Sequence, residues 1–264
     1  MKSVFLGVYQ ATKNSSETTL EAARELTTAL GGEFASLDVD PIVGLYRQAI
    51  EGAIDRKLDW ATDDIALQNI QARTRGPSVW MLANLRNALL LATSNRSEAA
   101  VGYATMDGDT CGGLSPVAGI DKAFLRRWLR WMETEGPQNA SPIPALRFVN
   151  CQQPTAELRP HEAAQTDESD LMPYPLLDAI EAAAIRDKMM PREVLFEMQT
   201  QFPNYRDEQL HAWVTKFFQL WSRNQWKRER YAPSFHVDDA NLDPKTWCRF
   251  PILSGGYAEE LSNL

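Results

Sequence analysis

The chain has 264 residues, with 35 acidic against 27 basic side chains and a net charge of -8. Apolar residues make up 44% and charged residues 23%, the balance of a globular protein, which excludes a disordered, collagenous or fibrous chain. No apolar run is long enough to span a bilayer, no secretory signal is readable, and the acidic balance disfavours bulk nucleic-acid binding, so neither membrane nor nucleic acid is an expected partner and the expected location is the cytoplasm.

In chain order, residues 3–9 form a short apolar run and residues 33–39 alternate weakly, and both read as strands. Between them a helix carries Leu20, Ala23, Leu26 and Leu30 on one face, with Thr18 and Glu21 placed as a capping box and Gly31-Gly32 as its stop. A second helix opens at Asp40-Pro41, a capping carboxylate followed by a first-turn proline. A third begins near Thr62, runs past Arg75, breaks at Gly76-Pro77 and resumes to Asn87. The continuous run 88–93 reads as a strand buried on both faces of a parallel sheet. Strands separated by helices imply an α/β fold with an open, mostly parallel sheet. After a helix over 121–135, residues 152–173 read as a long polar loop. Helices follow at 175–188, 191–201 and 207–223, the last with Leu210, Trp213, Val214, Phe217, Phe218 and Trp221 on a broad apolar face.

In open α/β sheets ligands sit beyond the carboxyl ends of the strands. After the 88–93 strand come Thr93-Ser-Asn-Arg-Ser-Glu98, hydroxyls, an amide, an arginine and a carboxylate that suit a phosphate with Mg²⁺. Glu98 is the candidate ligand, since Mg²⁺ takes few protein carboxylates; alternatively Ser97 and Glu98 only cap the next helix. The glycine-rich stretch 108–113 either cradles phosphate or is a turn, and it matches neither the Walker nor the dinucleotide pattern. Lys122 in the first turn of a helix opposes the dipole, so it either snorkels to solvent or meets a phosphate there. Arg73 and Arg75 read as a solvated helix face, and the basic residues of 223–230 as charges suited to a helix end. Cys111, Cys151 and Cys248 fit no disulfide or zinc framework. His161, His211 and His236 share no ligand spacing, and the nearness of His161 to Cys151 in sequence does not mark a nucleophile pair.

Taken together, several segments resemble the NAD+ synthase family. They are Asn69-Ile-Gln-Ala-Arg-Thr-Arg75, Leu90-Leu-Ala-Thr-Ser-Asn-Arg-Ser-Glu98, Val101-Gly-Tyr-Ala-Thr-Met-Asp-Gly-Asp109 and Gly112-Gly-Leu-Ser-Pro116. Pro154-Thr-Ala-Glu-Leu-Arg-Pro160, Gln165-Thr-Asp-Glu168 and Asn224-Gln-Trp-Lys-Arg-Glu-Arg230 continue the match in the same order, and the tail is similar to the glutamine-dependent branch. The resemblance implies a Rossmann-like open parallel sheet of the PP-loop (adenine nucleotide alpha hydrolase-like) type, with a synthetase core over 1–150, an active-site loop over 151–173 and a C-terminal helical extension over 174–264. It implies ATP-dependent amidation of deamido-NAD+ through an adenylate, with release of AMP and pyrophosphate and with ammonia drawn from glutamine. By motif, Thr93, Lys122 and Thr155 correspond to ATP contacts, Lys122 and Asp109 to catalytic groups, and Glu98 to a Mg²⁺ ligand. Asn69, Arg73, Glu98, Tyr103, Ala104, Thr105, Met106 and Lys227 correspond to deamido-NAD+ contacts. The family also implies a homodimer and a loop that closes over the site.

One departure stands out. The family's Ser-Gly-Gly-x-Asp-Ser phosphate loop has no counterpart near the N-terminus, and Ser254-Gly-Gly-Tyr-Ala-Glu259 copies only half of it, in the wrong context. Aligned on the resemblance, residues 3–9 are the second strand of a sheet ordered 3-2-1-4-5, so the first, central strand is expected to be missing. The backbone groups facing its slot would cost about 1–3 kcal/mol each if buried unpaired. The expectation is a synthetase part that needs upstream or separate sequence carrying the phosphate loop and glutaminase domain. The alternative is a non-catalytic, nucleotide-binding or regulatory relative.

Overall fold

The computed structural model describes residues 4–160, 165–235, 237–243 and 248–264. The first residue of the expected 3–9 strand, His161 and His236 lie outside these residues, as does part of the expected loop at 161–164. The chain is α/β and forms two compact units: Met1–Ala88 with Arg126–Asp167, and Leu89–Leu125 with Glu168–Leu264.

The first unit holds a parallel pair of strands, β1 (Leu6–Ala11) and β2 (Glu33–Asp38), in register from Leu6 opposite Glu33 to Ala11 opposite Asp38. A parallel pair needs a crossover, and α1 (Glu17–Ala29) supplies it. Its N-cap is Ser16, whose hydroxyl accepts from the Thr19 N–H, rather than the expected Thr18. Several hydroxyls in a row compete there, and the winner is the residue with extended backbone dihedrals. In α2 (Asp40–Ile54), Asp40 is the first helical residue rather than the cap, and its carboxylate accepts from the Lys13 N–H. The expected break at Gly76-Pro77 does not occur. α3 spans Trp60–Arg86, capped by Asp59, kinks at Asp63 and is continuous from there through Gly76-Pro77. Pro77 forfeits one helical hydrogen bond, but Ala72, Thr74 and Gly76 before it and Ala83 after it are buried.

α5 (Lys122–Thr134) is followed in the first unit by a 3-10 turn at Pro144–Leu146 and by α6 (Arg147–Asn150). Residues 154–160 are fastened inside this unit. Glu157 accepts from the Ser16 hydroxyl at 2.6 Å, the Thr19 hydroxyl at 2.8 Å and the Ser16 N–H at 3.3 Å. The Leu158 carbonyl accepts from Asn14 and Gln71, and Arg159 pairs with Asp64 at 2.8 Å.

In the second unit the expected 88–93 strand is reduced to an isolated parallel bridge between Leu91 and Leu114. Apolar composition makes a segment fit to be a strand, but a ladder also needs a neighbour along its length, and here Leu89 and Leu91 are exposed. A Cβ on Gly112 would meet the Ala92 nitrogen at 2.6 Å, so only glycine allows this pairing. α4 (Arg96–Val101) follows directly, and α7 (Asp167–Asp170) stands where the long loop was expected. The core is built by α8 (Tyr174–Glu181), which continues as a π turn to Arg186, α9 (Pro191–Gln201) and α10 (Asp207–Arg223). Leu210, Val214, Phe217, Phe218 and Trp221 form one stripe of α10 and pack with Leu176, Leu177, Ile180 and Met198. Burial of each such side chain contributes about 1.5–3 kcal/mol. α11 (Gln225–Arg228) and α12 (Ala258–Ser262) complete the unit. No helix among the described residues is long and apolar enough to cross a membrane.

Candidate functional site

In the second unit the chemistry gathers around α4. Asn95 caps the helix by accepting from the Glu98 N–H at 3.0 Å, and Glu98 returns the bond by accepting from the Asn95 N–H at 3.2 Å. The capping reading of Glu98 therefore holds, and it leaves the second carboxylate oxygen for other work. That oxygen, Oε1, sits 2.9 Å from the Lys122 Nζ. Lys122 is aimed there by its own backbone. Its N–H donates to the Ser97 hydroxyl at 2.8 Å, that hydroxyl donates to Asp178, and Asp178 accepts from the Ala123 N–H at 2.9 Å. The first N–H groups of α5 are thus satisfied by protein.

Beneath this layer lies an acidic cluster. Arg96 reaches Asp238 at 2.7 Å and Asp121 at 3.3 Å, and its Nε lies 2.9 Å from Glu181 outside hydrogen-bonding geometry. Four carboxylates (Asp121, Asp178, Glu181 and Asp238) share this neighbourhood with one arginine. Burial pushes the Glu181 carboxyl up to about 8 against the pull of Arg96. Burial also raises Asp178, and its Ser97 and Ala123 hydrogen bonds only partly oppose that.

The turn after α4 is equally tied. Asp109 accepts from the Thr105 N–H at 2.9 Å, Thr110 from the Asp107 N–H at 3.2 Å, and Tyr103 donates to Asp170 at 2.8 Å. Lys227 donates to the Gly102 and Ala104 carbonyls at 2.7 and 2.8 Å. Glu98, Tyr103, Ala104, Thr105, Met106, Asp109, Lys122 and Lys227 accordingly share one neighbourhood, and exposed Thr93 precedes the N-cap by two residues. Among the described residues no group of three or more His, Cys, Asp or Glu side chains is disposed to hold a metal ion, so a divalent ion here would draw few protein ligands, with Glu98 the candidate among them. That donor set fits Mg²⁺ carried on substrate phosphates, which keeps few protein ligands.

The remaining expected residues lie in the first unit. Asn69 is half-buried and Arg73 exposed on α3, and the Thr155 hydroxyl accepts from the Glu157 N–H. Sequence reasoning missed Asp178, Asn224 and Arg228. Asp178 reads as one polar position on an amphipathic helix, and Arg228 as one charge of a basic run. A cavity of about 90 Å³ lies behind α4, lined by Ala99, Arg228, Tyr231 and Asn241. None of the expected site residues lines it, so it is not the candidate site.

The chain matches the NAD synthase family model over residues 1–230. It is 36% identical to a glutamine-dependent NAD(+) synthetase of Aquifex aeolicus over 248 residues, which cover 94% of this chain and 39% of that protein. A crystal structure of a glutamine-dependent NAD(+) synthetase from Cytophaga hutchinsonii is similar at a TM-score of 0.83 and 47% identity, covering 97% of this chain and 40% of that one. An NMN synthetase from Francisella tularensis, at 18% identity and a TM-score of 0.55, shares the fold. The chain spans about two fifths of the length of the glutamine-dependent relatives.

Proposed function

The chain belongs to the NAD synthase family, and on that premise we propose that it is the synthetase part of a glutamine-dependent NAD+ synthase. The observation that carries the reading is the cluster of Glu98, Lys122, the 103–106 turn, Asp109 and Lys227 around α4.

The reaction attaches AMP to the nicotinate carboxylate of deamido-NAD+ with loss of pyrophosphate from ATP. Ammonia, supplied from glutamine, then attacks the acyl carbon, and AMP leaves as the amide forms. Each step moves negative charge onto phosphate oxygens, which fixed cations stabilise without reorganisation. Lys122 is the phosphate partner in this reading, with Thr93 and Thr155 as further ATP contacts, and its anchoring through Ser97 and Asp178 supports that role. Tyr103, Ala104, Thr105, Met106, Lys227, Asn69 and Arg73 bind the dinucleotide, and Asp109 keeps the turn in shape through the Thr105 N–H. Glu98 would hold Mg²⁺ together with phosphate oxygens, and the ion would supply further charge neutralisation.

The assembly is a homodimer. Leu45 and Ile50 of α2 and Met81 and Leu85 of α3 are each at least half exposed, an apolar surface in keeping with a second copy. The phosphate loop and the glutaminase domain come from other sequence. The open edge of β1, which pairs only with β2 among the described residues, favours that reading.

The test is calorimetry with deamido-NAD+, run beside an assay for NAD+ from deamido-NAD+, ATP, Mg²⁺ and ammonium. Micromolar dinucleotide binding with no NAD+ formed is the expected result. No binding would overturn the synthetase reading, and turnover by the chain alone would overturn the need for further sequence.

A further inference from the structure

α4 is only six residues long, and a helix end leaves its last carbonyls without intrahelical donors. Here they are met by side chains from one short segment. Arg228 donates through Nη1 to the Ala99 carbonyl at 3.3 Å and the Ala100 carbonyl at 2.8 Å. Asn224 donates to the Val101 carbonyl at 2.8 Å, and Lys227 takes the carbonyls of Gly102 and Ala104. Three side chains within five residues therefore hold five carbonyls between 99 and 104.

The clamp is rigid on its own side. Arg228 is 2% exposed, its Nε donates to Gln225 at 3.0 Å, its Nη2 donates to the Trp221 carbonyl, and its guanidinium lies 3.8 Å above the Trp221 ring. It pairs with no carboxylate among the described residues. Burial brings it down to about 10, so it remains charged at neutral pH. A buried charge held by carbonyl dipoles, a side-chain amide and an indole is a costly way to fill space, and an apolar side chain would pack the same volume more cheaply. What the planar fork adds is direction, two carbonyls and a third held at fixed angles. Gly102 closes the fit. It is left-handed at φ +66°, and a Cβ there would meet the Asn224 Cβ at 2.5 Å.

We propose that Asn224 and Arg228 are positioning residues that set the path of the 102–106 turn and so orient the surface it offers to the dinucleotide. The proposal rests on the dinucleotide-binding reading of that turn. Neither residue touches substrate. Both act through main-chain carbonyls, and Lys227 joins their work to the turn itself.

The test compares the full chain with Arg228→Lys, which keeps the charge but not the fork, and with Arg223→Gln, an exposed neighbour, as control. Peptide-resolved amide hydrogen exchange and calorimetric titration with deamido-NAD+ are the readouts. In Arg228→Lys, exchange over 99–106 is expected to rise at least tenfold while α9 and α10 stay within about threefold, with deamido-NAD+ affinity falling at least tenfold. Exchange unchanged over 99–106, or raised equally throughout the unit, overturns the proposal, as does local loosening with full affinity. If Arg228→Lys does not fold, Asn224→Ala, which removes the donor to Val101, is read on the same peptides with the same criteria. A wild-type chain that fails to bind deamido-NAD+ overturns the functional reading of the turn, whereas the exchange comparison still decides whether these residues set its path.

Discussion

The Lys122 ammonium stands 2.9 Å from Glu98 Oε1, so two groups proposed to meet substrate also pair with each other. Both side chains are about one-fifth exposed, at 22% and 17%. A pair in such a setting contributes about 1 kcal/mol or less. On the proposed function, nucleotide phosphates would offer Lys122 more negative charge than one carboxylate does, and binding would exchange one partner for another. Glu98→Gln keeps an oxygen for the Asn95 N–H and hence the cap. It is expected to shift stability by less than about 1 kcal/mol in urea denaturation while weakening deamido-NAD+ binding at least tenfold. Unchanged affinity would remove Glu98 from the site.

The buried acids predict how stability varies with pH. Glu181 faces Arg96, Asp178, Asp121 and Asp238, and burial holds its folded-state value near 8, against about 4.3 for the unfolded chain. Between these values the native state binds the extra proton. Its contribution is therefore complete below about pH 4, falls as pH rises, and is lost by about pH 8. The limiting slope is about 1.4 kcal/mol per pH unit. Asp178, raised in the same direction, adds to the decline. Denaturation midpoints at pH 6, 7, 8 and 9 should fall and then level. Glu181→Gln, which mimics the neutral acid, should flatten the profile, and an unflattened profile would place the titration elsewhere.

Gly102 supplies a sharper test of packing. Its left-handed backbone and the 2.5 Å approach to the Asn224 Cβ mean that Gly102→Ala adds both strain and overlap. The expected loss is about 2–5 kcal/mol, the sum of a left-handed penalty and an overpacked contact. Gly44→Ala, on α2 with nothing within 4 Å of its Cβ, should be neutral or stabilising in the same assay. Equal effects at the two positions would contradict the packing argument.

What was legible in the sequence follows the range of the interaction responsible. The strands at β1 and β2 and the helices α1, α2, α9 and α10 follow from local alternation, periodicity and stop signals, to within a few residues. The 88–93 run does not follow, because its ladder depends on a neighbour along its length rather than on its own apolar character. Gly76-Pro77 looks like a break because its local cost is visible, while the burial that offsets it at Ala72 and Thr74 is tertiary. At the site, Glu98 and Lys122 stand out by residue type and position. Arg228 does not, since nothing in Trp226-Lys-Arg-Glu-Arg230 separates an arginine at 2% exposure from the exposed Arg230 two places on. Asp178 is hidden for the same reason, its role being set by Ser97 and Ala123 from distant sequence.

The 154–160 stretch, expected to be a closing loop, is anchored at Glu157. That carboxylate accepts from Ser16 twice and from Thr19 once, at the positive end of the α1 dipole. Hydrogen bonds to a charged acceptor contribute about 1.5–3 kcal/mol each when partly buried, and the left-handed Glu157 backbone, at φ +47°, opposes them by about 1 kcal/mol. Glu157→Ala removes the bonds and keeps the strain, so it should lose about 2 kcal/mol or more and release the segment to limited proteolysis. Glu157→Gly removes the bonds and the strain together and should recover part of the stability without restoring protection. If both variants resist cleavage as the wild type does, the segment is held by Arg159–Asp64 and the Leu158 carbonyl instead, and Thr155 keeps its place without Glu157.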